Sequence, residues 1–227
     1  MQRAYLLLLL FCWTFTASAQ QVLNQPVGAF NELKVFDLIE VNLIQGSEQR
    51  VVIKGRNSED VKIINDNGTL KLRMNLEERF DGSETHIEVY FTEIDIIDAN
   101  EGARIITNAL IEQNTIELRA QEGGLIKAGL KVNHANMKAV TGGILEVSGS
   151  AVSQEVKLNT GGIFEGESFK TEDCTISVTA AGQAEVYASS QVRVRVTAGG
   201  DVRVYGNPSR VDQKSFAGGS IVVMDRD

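Results

Sequence analysis

The chain has 227 residues, a formal net charge of −8 at pH 7, two cysteines and 21 glycines. An acidic balance of this size argues against nucleic acid as a partner, because phosphate backbones attract basic proteins. Of the two cysteines, Cys12 lies in the leader described next, so Cys174 remains alone and we expect no intramolecular disulfide in the exported chain.

The first nineteen residues have the features of a secretory signal peptide. Arg3 precedes an apolar run over residues 6–13, and an A-x-A pattern at residues 17–19 comes directly before Gln20. A basic start, an apolar stretch and this ending are typical of cleaved leaders. We therefore predict an exported chain that begins at Gln20, in the periplasm, on the outer-membrane surface or outside the cell. No second apolar run is long enough for a transmembrane segment.

Residues 20–100 have the pattern of strands and turns without a fixed repeat. The stretch 33–43, LKVFDLIEVNL, alternates apolar and polar residues and predicts one half-buried strand, interrupted only by Asp37. The pair Asn67-Gly68, between VKII and LKLRM, predicts a two-residue hairpin because both positions favour positive φ. These features leave open whether the section continues the array described next or packs as a separate sheet.

From about residue 101 the sequence repeats itself. The copies read QEGGLIKA, VTGGILEV, NTGGIFEG, TAAGQAEV, TAGGDVRV and FAGGSIVV. Their second glycines, 18 to 20 residues apart, are Gly124, Gly143, Gly162, Gly182, Gly200 and Gly219. A period near 20 residues indicates a solenoid, in which each coil buries apolar side chains only against its neighbours. We expect a structural glycine at each corner, where a Cβ would be crowded or φ must be positive.

Apolar residues flank these glycines at alternating positions. Two and four residues after the second glycine the side chains are apolar or small in every copy, and six and four residues before it only the last copy is polar, with Gln213 and Ser215. We predict an all-β fold: a right-handed, single-stranded parallel β-helix of about seven coils over residues 101–227, continuous with a strand-rich N-terminal section over residues 20–100. The polar last coil argues against an open C-terminal end.

A family resemblance adds to this interpretation. The run GAFNELKVFDLIEVNLIQGSEQRVVIKG, the later DNGTLKLRM and the Gly-Gly coils together resemble the family called putative auto-transporter adhesin, head GIN domain. The resemblance extends from about Val27 to Val223. It implies an exported β-helical protein with an adhesin-like role, and the family has no established active site to carry over.

One outward position of the repeat is basic in five of six copies. Five residues before the second glycine stand Arg119, Lys138, Lys157, Arg195 and Lys214, with Ser177 in the remaining copy. Stacking in register would align these candidate ligand-binding residues as a stripe that suits an acidic polysaccharide or another cell-surface glycan. The alternative is a solvated face, because acidic residues two places earlier, such as Glu117 and Glu155, neutralise part of the stripe.

A second outward position is acidic in three consecutive copies, at Glu146, Glu165 and Glu185. A carbohydrate-active enzyme of the polysaccharide lyase or hydrolase type needs clustered acids, so these three glutamates, which we call the acid ladder, are the candidate acids for that alternative. The other interpretation is a solvated face, with Lys127 and Arg203 offsetting the repulsion at its two ends.

We assign no catalytic residue, no metal and no cofactor from the sequence. The histidines, His86 and His134, are far apart and each lacks a nearby Cys or His, as a zinc site would need. The predicted function is a non-enzymatic, adhesin-like surface or periplasmic protein that binds a glycan or an envelope protein through a ladder face. A structural envelope or assembly subunit is a further alternative.

Overall fold

The computed structural model describes residues 22–55, 58–78 and 81–224, so the predicted signal peptide lies outside the described residues. The N-terminal strands are β1 (Leu23–Pro26), β2 (Glu32–Val35), β3 (Glu40–Gln45), β4 (Arg50–Gly55), β5 (Val61–Asp66), β6 (Thr69–Met74), β7 (Thr85–Phe91) and β8 (Ile96–Ala99). The later strands are β9 (Arg104–Glu112), β10 (Thr115–Gln121), β11 (Leu125–Val140), β12 (Ile144–Asn159), β13 (Ile163–Glu165), β14 (Phe169–Val178), β15 (Gly182–Tyr187), β16 (Gln191–Val196), β17 (Gly200–Tyr205), β18 (Arg210–Ser215) and β19 (Ser220–Val223). Short 3₁₀ turns cover Ser58–Asp60, Leu76–Glu78 and Gly82–Glu84.

The strands wind into a parallel β-helix of about seven turns, which confirms the predicted fold class. Each coil contributes to two ladders. The first face follows the order β5, β6, β2, β8, β10, β11, β12, β14, β16 and β18. The second face follows β1, β4, β7, β3, β9, β11, β12, β13, β15, β17 and β19. The long strands β11 and β12 pass from the second face into the first.

In the first three copies the second glycine closes a tight turn between the two faces, by an N–H···O bond from Gly124, Gly143 or Gly162. At Thr141 and Gly142 φ is 51° and 73°, and the N–H of Gly143 donates to the carbonyl of Val140 at 3.0 Å. Two successive positive φ angles define a type I′ turn. A Cβ on Gly143 would lie 2.0 Å from the carbonyl oxygen of Ala120, one coil earlier. The turn therefore uses glycine for backbone conformation at one position and for close packing at the next.

The six repeat glycines divide into two groups. At Gly124 and Gly162, as at Gly143, a Cβ would meet the carbonyl oxygen of the preceding coil, at 2.3 and 2.1 Å. At Gly182, Gly200 and Gly219 the nearest atom is a side-chain carbon at 2.7 to 2.9 Å, and φ is positive at the last two. Close approach to backbone therefore requires glycine in the earlier coils, whereas positive φ adds a conformational requirement at Gly200 and Gly219.

The prediction of a single strand over residues 33–43 is wrong. The structure places a corner there, between β2 and β3, with φ of 58° at Asp37 and 62° at Leu38. The turn closes by an N–H···O bond from Ile39 to Phe36 at 3.2 Å. Asp37 is fully buried and its carboxylate accepts from the backbone N–H of Met74 at 3.0 Å, so a side-chain hydrogen bond stabilises a corner that lacks glycine.

The N-terminal section continues the stack, but out of sequence order. Strands β2 and β3 pair in parallel with β8 and β9. Strands β6 and β7, which come later in the chain, pair with the opposite edges of β2 and β3. Beyond them β5 lies antiparallel on β6, and β4 and then β1 lie antiparallel on the second face. These antiparallel strands form the N-terminal end of the coil.

The predicted inward side chains are buried in every coil except the last. Those no more than 1% exposed include Ile126, Leu145, Phe164 and Val202. In the last coil Gln213 and Ser215 are exposed, as expected for a polar end, but Ile221 and Val223 are only partly covered. The terminal coil is thus polar on the first face and apolar on the second. Among the described residues no strand covers the outer edge of β18 or β19, so the polar residues do not close this end as the sequence suggested.

We expect Gly143→Ala to lower the free energy of unfolding by about 1–3 kcal/mol, because its Cβ meets backbone rather than a flexible side chain. Gly142→Asn is the matched control: φ there is also positive, no atom lies within 4 Å, and asparagine tolerates this conformation. Urea denaturation followed by circular dichroism measures both. Equal losses for the two variants would contradict the close-packing account.

Cys174 behaves as a core residue in the structure. Burial raises the pKa of its thiol to about 12, and thiolate is the reactive form. We expect the native exported chain to resist an aromatic disulfide reagent at pH 8 and to react fully once unfolded. A Cys174→Ser, Ser150→Cys variant, whose new thiol is exposed, should react at once in the native state. Equally fast labelling of native wild-type protein would refute this.

Candidate functional site

The five candidate cations lie in one straight column on the outer side of the first face. Strand pairing places Arg119 beside Lys138, Lys138 beside Lys157, Lys157 beside Ser177, and the column continues to Arg195 and Lys214. We call this line of six residues the cation column. Neighbouring strands lie about 4.8 Å apart, so residues of the cation column on successive coils are separated by about that distance.

The column continues into the N-terminal section, which the repeat did not reveal. Arg119 pairs with Asp98, Asp98 with Lys34, and Lys34 with Lys71. Because these coils stack out of sequence order, no fixed spacing connects Lys34 or Lys71 to the repeat. The only signal in the sequence was the outward position of each lysine within an alternating strand.

Three cations of the column are neutralised within the protein. Arg119 bonds Glu117 at 2.7 Å, Lys157 contacts Glu155 at 2.8 Å and Arg195 bonds Asp212 at 2.7 Å. The hydrogen bond to Glu117 raises the pKa of Arg119. The hydrogen bond from Arg195 lowers the pKa of Asp212, against a weaker opposing effect of desolvation. These pairs are partly or largely exposed, so each stabilises the fold only slightly.

The remaining cations of the column keep their charge available. Within the described part of the chain, Lys138 and Lys214 form no ion pair, and both are exposed. Lys138 lies in a groove of about 330 Å³ that is also lined by Asn136, Lys157 and the acids Glu117 and Glu155. On the coil after Lys157, Thr175 and Ser177 replace charges by hydroxyl groups. The middle of the column therefore combines the unpaired Lys138 with the ion pair of Lys157 and Glu155 and with amide and hydroxyl groups.

Asp98 interrupts the column as a buried acid. Its carboxylate accepts hydrogen bonds from the side-chain amides of Asn100 and Gln121, both at 3.0 Å, and from the ammonium of Lys34 at 3.4 Å. Its side chain is 3% exposed. Because every donor faces a single carboxylate, Asp98 joins β2, β8 and β10 at the point where the N-terminal section meets the repeat.

The three candidate acids also stack, on the second face. Glu146 pairs with Glu165, and Glu165 pairs with Glu185. Lys127 bonds Glu146 at 2.8 Å and Arg203 bonds Glu185 at 2.9 Å. The first contact raises the pKa of Lys127. Cations at the two ends thus neutralise the outer glutamates, and Glu165 stands between them.

A groove of about 480 Å³ runs beside this ladder. Residues that line it include Thr107, Asn108, Glu146, Glu165, Glu167 and Ser168. One wall is an irregularity of β9, where the pairing with β11 shifts between Ile106 and Leu110. The other wall is formed by Glu167 and Ser168, which come just after the short strand β13. The two coils that form these walls are longer than the usual 19 residues: 21 separate Ala103 from Gly124, and 20 separate Gly162 from Gly182. This excess length is the signal in the sequence from which the groove could have been predicted.

Two further site types find no support among the described residues. No group of three or more His, Cys, Asp and Glu side chains in the ranges 22–55, 58–78 and 81–224 is placed to hold a metal ion. His86 contacts Glu40 at 3.2 Å, and His134 contacts the hydroxyl of Ser153 at 2.8 Å. Nowhere in the described part of the chain is a helix long and apolar enough to cross a membrane.

A comparison with protein families identifies this architecture. The family described as "Putative auto-transporter adhesin, head GIN domain" matches residues 29–208. The chain belongs to this family. This match confirms the resemblance carried by the N-terminal run and the Gly-Gly coils. The family is named for adhesins and not for an enzyme. A search of curated proteins finds no match.

Solved structures share the fold at low sequence identity. A "putative adhesin" from Bacteroides fragilis NCTC 9343 has a TM-score of 0.83 at 14% identity, over 91% of this chain and 98% of that chain. A "putative adhesin" from Parabacteroides merdae ATCC 43184 has a TM-score of 0.69 at 14% identity, over 92% and 98%. A "putative lipid binding protein" from Parabacteroides distasonis ATCC 8503 has a TM-score of 0.68 at 12% identity, over 91% and 98%. At this identity the likeness shows the fold alone.

We expect Asp98→Ala to destabilise the protein by about 1–3 kcal/mol, because the buried amide of Asn100, the partly buried amide of Gln121 and the ammonium of Lys34 lose their acceptor. The matched control is Lys138→Ala in the same column, which should change stability by no more than about 0.5 kcal/mol because Lys138 has no ion pair among the described residues. Urea unfolding of the two variants makes the comparison. A small effect at Asp98 would show that the N-terminal section is joined to the repeat mainly by other contacts.

Proposed function

We propose that this protein is an exported, adhesin-like binding protein that holds an acidic glycan against the cation column without transforming it. Membership of a family named for adhesins supports the adhesin-like part. The predicted leader supports export. The stacking of five basic residues in one column is the observation that carries the choice of ligand.

The middle of the column has the chemistry that such a ligand needs. Lys138 supplies a free cation, Lys157 a cation shared with Glu155, and Ser177 a hydroxyl group on the following coil. Asn136 and Thr175 lie two residues before Lys138 and Ser177 on the same strands. A glycan with carboxylate or sulfate groups presents both anions and hydroxyls, and charge-assisted hydrogen bonds to lysine are stronger than neutral ones.

The ladder geometry also favours a long ligand over a small one. The open grooves on this face are shallow, and the lysines are exposed, so each contact is weak and screened by salt. Repetition at about 4.8 Å per coil lets one chain contact several coils at once, and multivalent contact raises the overall affinity. We therefore infer a polymer held by many weak contacts.

The acid ladder gives less support to the enzymatic alternative. Acid–base hydrolysis of a glycosidic bond needs two carboxyl groups with different roles. Ion pairs with Lys127 and Arg203 occupy Glu146 and Glu185, so Glu165 is the one acid of this ladder without a cation partner. The ladder therefore offers one unpaired carboxylate, and an enzyme would need Glu167, which lines the same groove, as the second.

The test measures binding of the exported chain to sulfated and uronate-rich polysaccharides and to a neutral polysaccharide. We expect binding of the acidic polymers that falls as salt rises, and at least about tenfold weaker binding by a Lys138→Glu, Lys157→Glu variant, equivalent to roughly 1.4 kcal/mol. Lys131→Glu is the control, because Lys131 is as exposed as Lys157 but lies outside the column. If both variants lost affinity for the acidic polymers equally, the loss would reflect overall charge, and the column would be rejected as the binding site.

The same samples distinguish binding from catalysis. We expect no new reducing ends and no unsaturated sugars after prolonged incubation, with size-exclusion chromatography showing the polysaccharide unchanged. Product that disappears in a Glu165→Gln variant would instead establish the enzymatic alternative on the second face.

A further inference from the structure

The two ends of the coil finish in different kinds of strand. At the N-terminal end the stack finishes in antiparallel strands, β5 on the first face and β4 followed by β1 on the second. At the other end, within residues 22–55, 58–78 and 81–224, no strand pairs with the outer edge of β18 or β19. Apolar side chains that are 38 to 71% exposed collect at this end, namely Val211, Phe216, Val222 and Met224. An uncovered edge of this kind is a template for another strand.

The backbone of β18 shows which groups this edge offers. The N–H of Arg210 donates inward to Ser190 at 3.0 Å, and that of Phe216 donates inward to Val196 at 2.8 Å. In a parallel ladder alternate residues bond to the same neighbour. The N–H and C=O groups of Val211, Gln213 and Ser215 therefore point away from the protein, ready to pair with an added strand.

We propose that two copies of this chain join tail to tail, through antiparallel pairing of β18 with β18 of the second copy about a twofold axis at Gln213. The occupant of the edge is a second copy because the strand is complementary to itself in charge. Its outward side chains alternate in sign, as Arg210, Asp212 and Lys214. Opposite charges placed directly across an antiparallel pair stabilise it, and like charges destabilise it.

Two registers of the self-paired strand match these charges, and the one centred on Gln213 pairs more of the strand. With the axis at Val211, Arg210 faces Asp212 of the other copy, but only residues 210–212 of the two strands overlap. With the axis at Gln213, Asp212 of each copy faces Lys214 of the other. With the axis at Asp212 or at Lys214, a residue faces its own copy and like charges meet. Lys214 forms no ion pair among the described residues, so the new contact breaks none that it already has.

The same register completes the incomplete core. Gln213 meets Gln213 of the second copy, where two side-chain amides can bond each other, and Val211 meets Ser215 on the inner side. The partly covered Ile221 and Val223 gain apolar surface from the other subunit at the adjacent edge. Because the contact uses the same edge of both copies, the interface is isologous and produces a closed dimer and not a filament.

The experiment measures mass against concentration for the exported chain by sedimentation velocity and light scattering. We expect a dimer of twice the monomer mass at micromolar concentration. Lys214→Asp places two acids opposite each other and should weaken the dimer at least tenfold. Lys138→Asp, in the same column but in the middle of the coil, should leave it unchanged. Gln213→Pro removes one outward N–H without removing an internal hydrogen bond and should yield a folded monomer.

Cysteine substitution tests the register itself. In a pair across the axis the Cα atoms lie about 5.5 Å apart, which a disulfide spans. Mild oxidation should therefore link Gln213→Cys into a covalent dimer, whereas Val211→Cys, on the same side of the strand, should stay unlinked because it faces Ser215. Cys174 is buried and does not interfere. A monomer at every concentration, a dimer that survives Gln213→Pro, or efficient linking through Val211→Cys would each overturn the proposal.

Discussion

Close contact between the corner glycine of one coil and the backbone of the preceding coil is the constraint from which the architecture follows. At Gly143 there is no room for a Cβ beside the carbonyl of Ala120. Successive turns also bond to one another, as when the N–H of Gly123 donates to Thr141 and that of Gly142 donates to Thr160. These contacts hold each corner directly over the last one, so both faces start every coil in the same register.

Fixed register has an electrostatic consequence. Residues at equal positions of the repeat must stack as columns, and a column of one charge sign repels itself at a step of about 4.8 Å. The protein offsets this cost locally: Glu117, Glu155 and Asp212 pair with cations of the first face, and Lys127 and Arg203 pair with the outer acids of the second. What remains for a ligand is the part of each column that lacks a partner, centred on Lys138 in one case and Glu165 in the other.

Departures from the regular period create the local features that distinguish one coil from another. The extra residues before Gly124 and before Gly182 bend the second face and form its groove. The corner at Asp37 lacks glycine and relies on a buried carboxylate that accepts from Met74. The last coil leaves strand edges uncovered and mixes polar with apolar inward residues. A solenoid keeps such changes local, because each coil contacts mainly its neighbours.

The sequence by itself determined the coil, its inward columns and the alignment of Arg119 through Lys214, because a 19-residue repeat with alternating strands translates directly into stacked positions. Only the tertiary structure decided the order of the N-terminal coils, since β6 and β7 stack outside β2 and β3 by contacts between residues that no regular spacing connects. The same holds for Asp37, whose corner depends on a bond to a residue 37 positions away. The tertiary structure also decided which cations are neutralised, because each side chain pairs with an acid that the fold brings within reach. It decided the free edge of β18 as well, because an edge strand can be recognised only when the pairing of all the other strands is known.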